Sequence, residues 1–191
     1  MKGDYTMGIF DLLKKLAQTE EIPATGNKAE SFTFAALPKD LAALKALPEA
    51  ALDSPYKTAA LAVAALCRYG EDREAVYEML NFLKGPEPLS NLEKQFLSDR
   101  LADKPYKPFS FFAGAAPENG YVPAAPYRIT VSSNPYSFEA ENWATLYVQS
   151  GGADALRPIK LRKKPSAGQW FLNELQCLSD IRVPTAEDPW A

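Results

Sequence analysis

The ten residues from Thr58 to Cys67, Thr-Ala-Ala-Leu-Ala-Val-Ala-Ala-Leu-Cys, carry no charge, no glycine and no proline. Ser54-Pro55 ahead of them supplies a helix N-cap followed by a first-turn proline, and Gly70 closes the run, so a helix is expected over residues 55–69. A helix without a polar stripe has no face to offer water, so it must be covered nearly all round. The cover has to be protein, because the run is far shorter than the about 18 apolar residues that cross a bilayer. No other stretch of the chain reaches that length. The uncharged segment is therefore expected at the centre of the fold, and the rest of the chain has to supply its surroundings.

The flanking residues supply further helices. Pro38, Pro48 and Pro55 each stand where a helix can begin. Asp72 caps the next one, in which Val76, Met79, Leu80 and Leu83 form an inward stripe before Gly85-Pro86 ends it. Ser90-Asn91-Leu92-Glu93 is a capping box, opening a helix that is expected to turn Leu92, Phe96, Leu97 and Leu101 towards the core. The character changes after Asp103. Residues 104–126 alternate Pro105, Pro108, Pro117, Pro123 and Pro126 with Tyr106, Phe109, Phe111, Phe112 and Tyr121. Aromatic side chains in such number need burial, so this stretch is expected to wrap the domain as an extended crossover. Its aromatics either lock the crossover to the core or wall a groove for a ligand or partner.

Residues 127–132, 143–149, 159–164 and 169–178 are rich in β-branched and aromatic side chains and are separated by turn residues, Pro165-Ser166-Ala167-Gly168 among them. Helices first and strands afterwards predict an α+β fold, an N-terminal helical bundle packed against a C-terminal antiparallel sheet of about four strands. Residues 31–191 read as one such domain, with a helical half at 37–103, the crossover at 104–126 and a β half at 127–183. Residues 1–30 read as a short amphipathic helix and a flexible linker: Ile9, Leu12, Leu13 and Leu16 fall at helical spacing, and Pro23, Gly26 and Asn27 follow. That helix either packs on its own domain or touches a partner or a membrane surface.

The chemistry is bounded by an absence. The chain has no histidine, and its two cysteines, Cys67 and Cys177, lie far apart. Histidine-based triads and dyads, the paired-histidine zinc helix and the facial iron triad are all excluded. Ser150-Gly151-Gly152-Ala153-Asp154 lacks the spacing of a phosphate-binding loop and reads as a turn. Glu71, Asp72, Glu74 and Glu78 read as a solvated helix start. Glu139, Glu141, Asp154, Glu174 and Asp180 lie in the β half, but no spacing pairs them for acid/base work. No catalytic, cofactor or metal residue is nominated, and no cofactor is expected. Few cysteines suit the cytoplasm. The net charge of −3 predicts no general affinity for nucleic acid or anionic membrane.

The strongest charge feature is Arg157-Pro158-Ile159-Lys160-Leu161-Arg162-Lys163-Lys164, with five bases and no acid. At strand period Lys160, Arg162 and Lys164 share one face while Ile159 and Leu161 share the other. This cationic stripe either guards the sheet or binds an unidentified protein or a small acidic ligand. Lys160, Arg162 and Lys164, with Phe111, Phe112 and Tyr121 from the crossover, are the candidate partner-binding residues. The expected function is a non-catalytic binding or protein-interaction module. The alternative is a small-molecule pocket or a histidine-free enzyme using carboxylate, tyrosine or lysine chemistry.

Four segments carry a family resemblance: Leu47-Pro48-Glu49-Ala50-Ala51-Leu52, Met79-Leu80-Asn81-Phe82-Leu83-Lys84-Gly85-Pro86, Ser150-Gly151-Gly152-Ala153-Asp154, and Leu161-Arg162-Lys163-Lys164-Pro165-Ser166-Ala167-Gly168-Gln169-Trp170-Phe171-Leu172. Through them residues 37–190 resemble an uncharacterised bacterial family, a domain of unknown function seen mainly in anaerobic Gram-positive bacteria. The resemblance implies no activity, cofactor or catalytic residue.

Overall fold

The computed structural model describes residues 27–190; the expected helix at Ile9, Leu12, Leu13 and Leu16 lies outside them. A strand β1 (Ala29–Phe34) precedes four helices, α1 (Leu41–Lys45), α2 (Pro55–Leu66), α3 (Arg73–Lys84) and α4 (Asn91–Leu101). After the crossover come β2 (Tyr127–Ser132), β3 (Trp143–Val148), β4 (Arg157–Lys164) and β5 (Gln169–Leu175). The fold is α+β, with the helices mostly in the N-terminal half and the strands mostly in the C-terminal half.

The helices begin and end where their capping residues dictate. Ser54 Oγ accepts the Tyr56 amide at 3.3 Å to open α2, and Asp72 Oδ1 accepts the Ala75 amide at 3.0 Å to open α3. Ser90 and Glu93 form a reciprocal capping box at the start of α4. Gly85 ends α3 with φ of 63°, and a Cβ at this position would run into the Phe171 ring.

Every residue of α2 except Lys57 is buried. Its surroundings are α3, all five strands and the 3-10 turns Pro48–Ala51 and Pro108–Phe111. The sheet runs β1-β2-β3-β4-β5 with each neighbouring pair antiparallel, and one of its faces rests on the helices. Strand alternation sends Ile129, Val131, Ala144, Leu146, Val148, Ile159 and Leu161 into the core. Thr58 Oγ1 donates to the Trp170 carbonyl at 2.8 Å, and the Trp170 amide donates to the Leu52 carbonyl at 2.8 Å. These two bonds tie the start of β5 to the start of α2.

Two details differ from expectation. The sheet has one strand more than the four read from the β half. β1 begins at Ala29, inside the stretch expected to be linker, and alternates Phe32 and Phe34 inward with Ser31 and Thr33 outward. In α4, Leu97 and Leu101 are buried but Leu92 is 80% exposed. Leu92 and Phe96 lie one helical turn apart on one stripe, Leu97 and Leu101 on the next. The core takes the second stripe and leaves the first at the rim.

Leu97→Ala should therefore cost about 2–5 kcal/mol of unfolding free energy in a urea titration, and Leu92→Ala less than about 0.5 kcal/mol. Equal losses would contradict this placement of α4.

Candidate functional site

Ile159 and Leu161 enter the core, so Lys160, Arg162 and Lys164 emerge on the opposite face of β4, with Arg162 and Lys164 exposed and Lys160 half-buried. The stripe is partly neutralised. Lys160 Nζ lies 3.2 Å from Glu174 Oε2 on β5, and Arg162 Nη1 lies 3.4 Å from Glu87 Oε1. The Arg162 guanidinium also sits 5.1 Å from the Trp143 ring centre, and the Lys163 ammonium 5.8 Å from that of Trp170. A hydrogen bond from Gln176 holds the Glu174 carboxyl below its ordinary pKa; partial burial opposes this, and Lys160 adds to the lowering.

Phe111, Phe112 and Tyr121 are not on this face. They are 4%, 2% and 2% exposed. Phe112 meets Tyr127 edge-on with ring centres 6.0 Å apart, and Tyr121 stacks on Tyr106 at 5.2 Å while its hydroxyl donates to the Arg182 carbonyl at 2.7 Å. These three side chains lock the crossover to the core, the first of the two roles open to them. The Gly151-Gly152 turn belongs to the same packing, since a Cβ on Gly152 would collide with the Tyr121 hydroxyl.

The structure adds a feature that the sequence reading did not contain. Between α4 and β5 runs an apolar groove of about 300 Å3, walled by Leu89, Leu92, Phe96, Leu97, Leu172 and Leu175. Next to it a second hollow of about 290 Å3 is bordered by Arg162, Lys163, Lys164, Glu87 and Phe171. Lys84, Leu172 and Asn173 wall both, so the two make one trough along β5, apolar at one end and basic at the other. At the join, Lys84 Nζ donates to Glu93 Oε1 at 2.7 Å and to the Asn173 carbonyl at 3.2 Å. The Lys84 side chain is only 7% exposed, so its charge depends on Glu93 as a partner. Partial burial pushes the Glu93 carboxyl up, but Lys84 and the Ser90 amide and hydroxyl outweigh it and hold the carboxyl below its ordinary value. The sequence signal that reaches the trough is the basic stripe, through Arg162 and Lys164; Leu92 is expected in the core and gives no sign of the apolar end.

Cys67 and Cys177 are both free and buried. Burial pushes both thiols up, that of Cys177 to about 12, so neither supplies a thiolate near neutral pH. Among the described residues no group of three or more Cys, Asp and Glu converges to hold a metal ion, and no helix is long and apolar enough to cross a membrane.

Residues 36–185, well over half of the chain, match the sequence model of a family described as a domain of unknown function (DUF6935). The chain belongs to this family. No curated protein and no solved structure matches it. The family region takes in α1 through β5 and every residue of the trough, and it leaves out β1. The family description names no activity, so the chemistry of the site rests on its residues.

Glu93 provides a direct check on the join of the trough. Because its folded-state pKa lies below the ordinary value of 4.5, the stability it contributes is present above that value and is lost as the pH falls through the folded value. Glu93→Gln should thus be less stable than the wild type at pH 7 in urea titrations, and the gap should shrink in acid below the carboxylate range. A gap of the same size at both ends would contradict the pairing.

Proposed function

We propose that the chain is a non-catalytic protein-interaction module that takes an acidic segment of a partner protein at the basic end of the trough. The observation that carries this reading is the charge balance of that hollow. Arg162 and Lys164 border it from a single strand, both exposed, and Glu87 is the one carboxylate among its described lining residues. The surplus of positive charge favours an acidic guest and speeds its approach. Lys160, held by Glu174, flanks the contact, while Phe111, Phe112 and Tyr121 keep the scaffold rigid. The two buried free thiols suit a cytoplasmic setting. Against the reading as a small-molecule pocket or histidine-free enzyme stand the buried side chains packed between sheet and helices, and hollows that open at the surface. The net charge of −3 argues against nucleic acid as the guest.

The test is fluorescence anisotropy with a labelled poly-glutamate peptide, with inorganic phosphate as a competitor. The peptide should bind, more weakly as salt rises. Replacing Lys160, Arg162 and Lys164 together by Ser should lower its affinity by about tenfold or more, at roughly 0.5–1 kcal/mol for each exposed charge contact. The melting temperature should stay close to that of the wild type. Displacement by millimolar phosphate would transfer the site to a small acidic ligand. Unchanged peptide binding in the triple variant would remove the basis for this site.

A further inference from the structure

We propose that the occupant of the trough is a single extended peptide segment that presents an acidic side chain to Arg162 and Lys164 and an apolar side chain, about four residues away, to Leu92 and Phe96. The inference rests on the acidic-segment reading above and goes beyond it by assigning the apolar half of the trough to the same guest.

Three observations support one guest. The apolar groove and the basic hollow share the walls Lys84, Leu172 and Asn173, and the Lys84–Glu93 pair lies at this join. That pair is already satisfied internally, by a 2.7 Å contact between its members and by Asn173 and Ser90, so a guest crossing it does not have to supply a charge. The distance also fits. Phe171 borders the basic hollow and Leu175 the apolar groove, four residues apart on β5, which is about 13 Å at the strand rise. An extended guest lying along β5 covers that distance in the same number of residues. A small acidic molecule would fill only one half.

The two ends have different roles. Leu92 is 80% exposed at the rim of the apolar groove, which it walls together with Phe96. Covering it and seating an apolar side chain beside Phe96 supplies affinity, about tenfold for the buried aliphatic group. The basic end adds affinity for the acidic side chain and sets the orientation and approach rate of the guest. The guest is thereby defined by its chemistry: an extended stretch with Glu or Asp at one position and Leu, Ile or Phe about four positions away.

The experiment uses the full chain and three labelled peptides in a Ser/Ala background: one with a single Glu pair, one with a single Leu, and one carrying both at the four-residue spacing. The combined peptide should bind about tenfold tighter than either of the others. Leu92→Ser, a neutral change at an exposed site that adds no charge repulsion, should remove most of that gain and leave the Glu-only peptide unaffected. Arg162→Ser with Lys164→Ser should weaken the combined and Glu-only peptides alike. If the combined peptide gains nothing, or if Leu92→Ser leaves its binding unchanged, the single-guest inference is overturned while acidic-segment binding stands. If neither Glu-containing peptide binds, the reading beneath it fails as well. A Leu12→Asp, Leu16→Asp variant of the full chain that binds the combined peptide more tightly than the wild type would give the apolar half to the chain's own amino-terminal stretch and overturn the partner assignment.

Discussion

A twelve-residue helix with no face left for water is the demand around which this protein is organised. α2 meets α3, five strands and two 3-10 turns, so almost every element contributes part of its cover. Its composition makes this close surround feasible. Five alanines among its twelve residues leave a thin cylinder that neighbouring backbones can approach closely, while Leu61, Val63 and Leu66 fill the remaining space. The hydrogen bonds linking Thr58 and Leu52 to Trp170 then fasten the last strand to the front of this helix. Further along β5 the strand faces α4 across the trough.

The parts of this arrangement that depend on neighbours in the chain were legible in the sequence. Ser54, Asp72 and Ser90 cap the helices they precede, Gly85 ends α3, and period-two alternation correctly divides β4 into buried Ile159 and Leu161 and outward Lys160, Arg162 and Lys164. Contacts between distant segments were not legible. β1 pairs with β2, with Ser31 hydrogen-bonded to Thr130 across 99 positions, and no hairpin turn announces such a partner. The trough is closed by Lys84 reaching Asn173 across 89 positions. The misplacement of Leu92 has the same origin: both stripes of α4 are apolar, and only the packed neighbours decide which one turns inward.

The chain has no histidine, and both of its thiols are buried. It presents a packed core carrying a trough whose two ends differ in polarity. For the proposed peptide guest, a host packed in this way loses little freedom when the guest is ordered against it. The aromatic crossover lies away from this trough: Tyr106, Phe112 and Tyr121 fasten residues 104–126 to the core and do not line it.

Native-state hydrogen exchange tests the central role of α2 most directly. If the whole fold depends on covering this helix, the amides of residues 59–66 should exchange only by global unfolding, with an opening free energy equal to that from urea titration. Exchange of those amides through a smaller local opening, with α3 or α4 better protected than α2, would contradict the account.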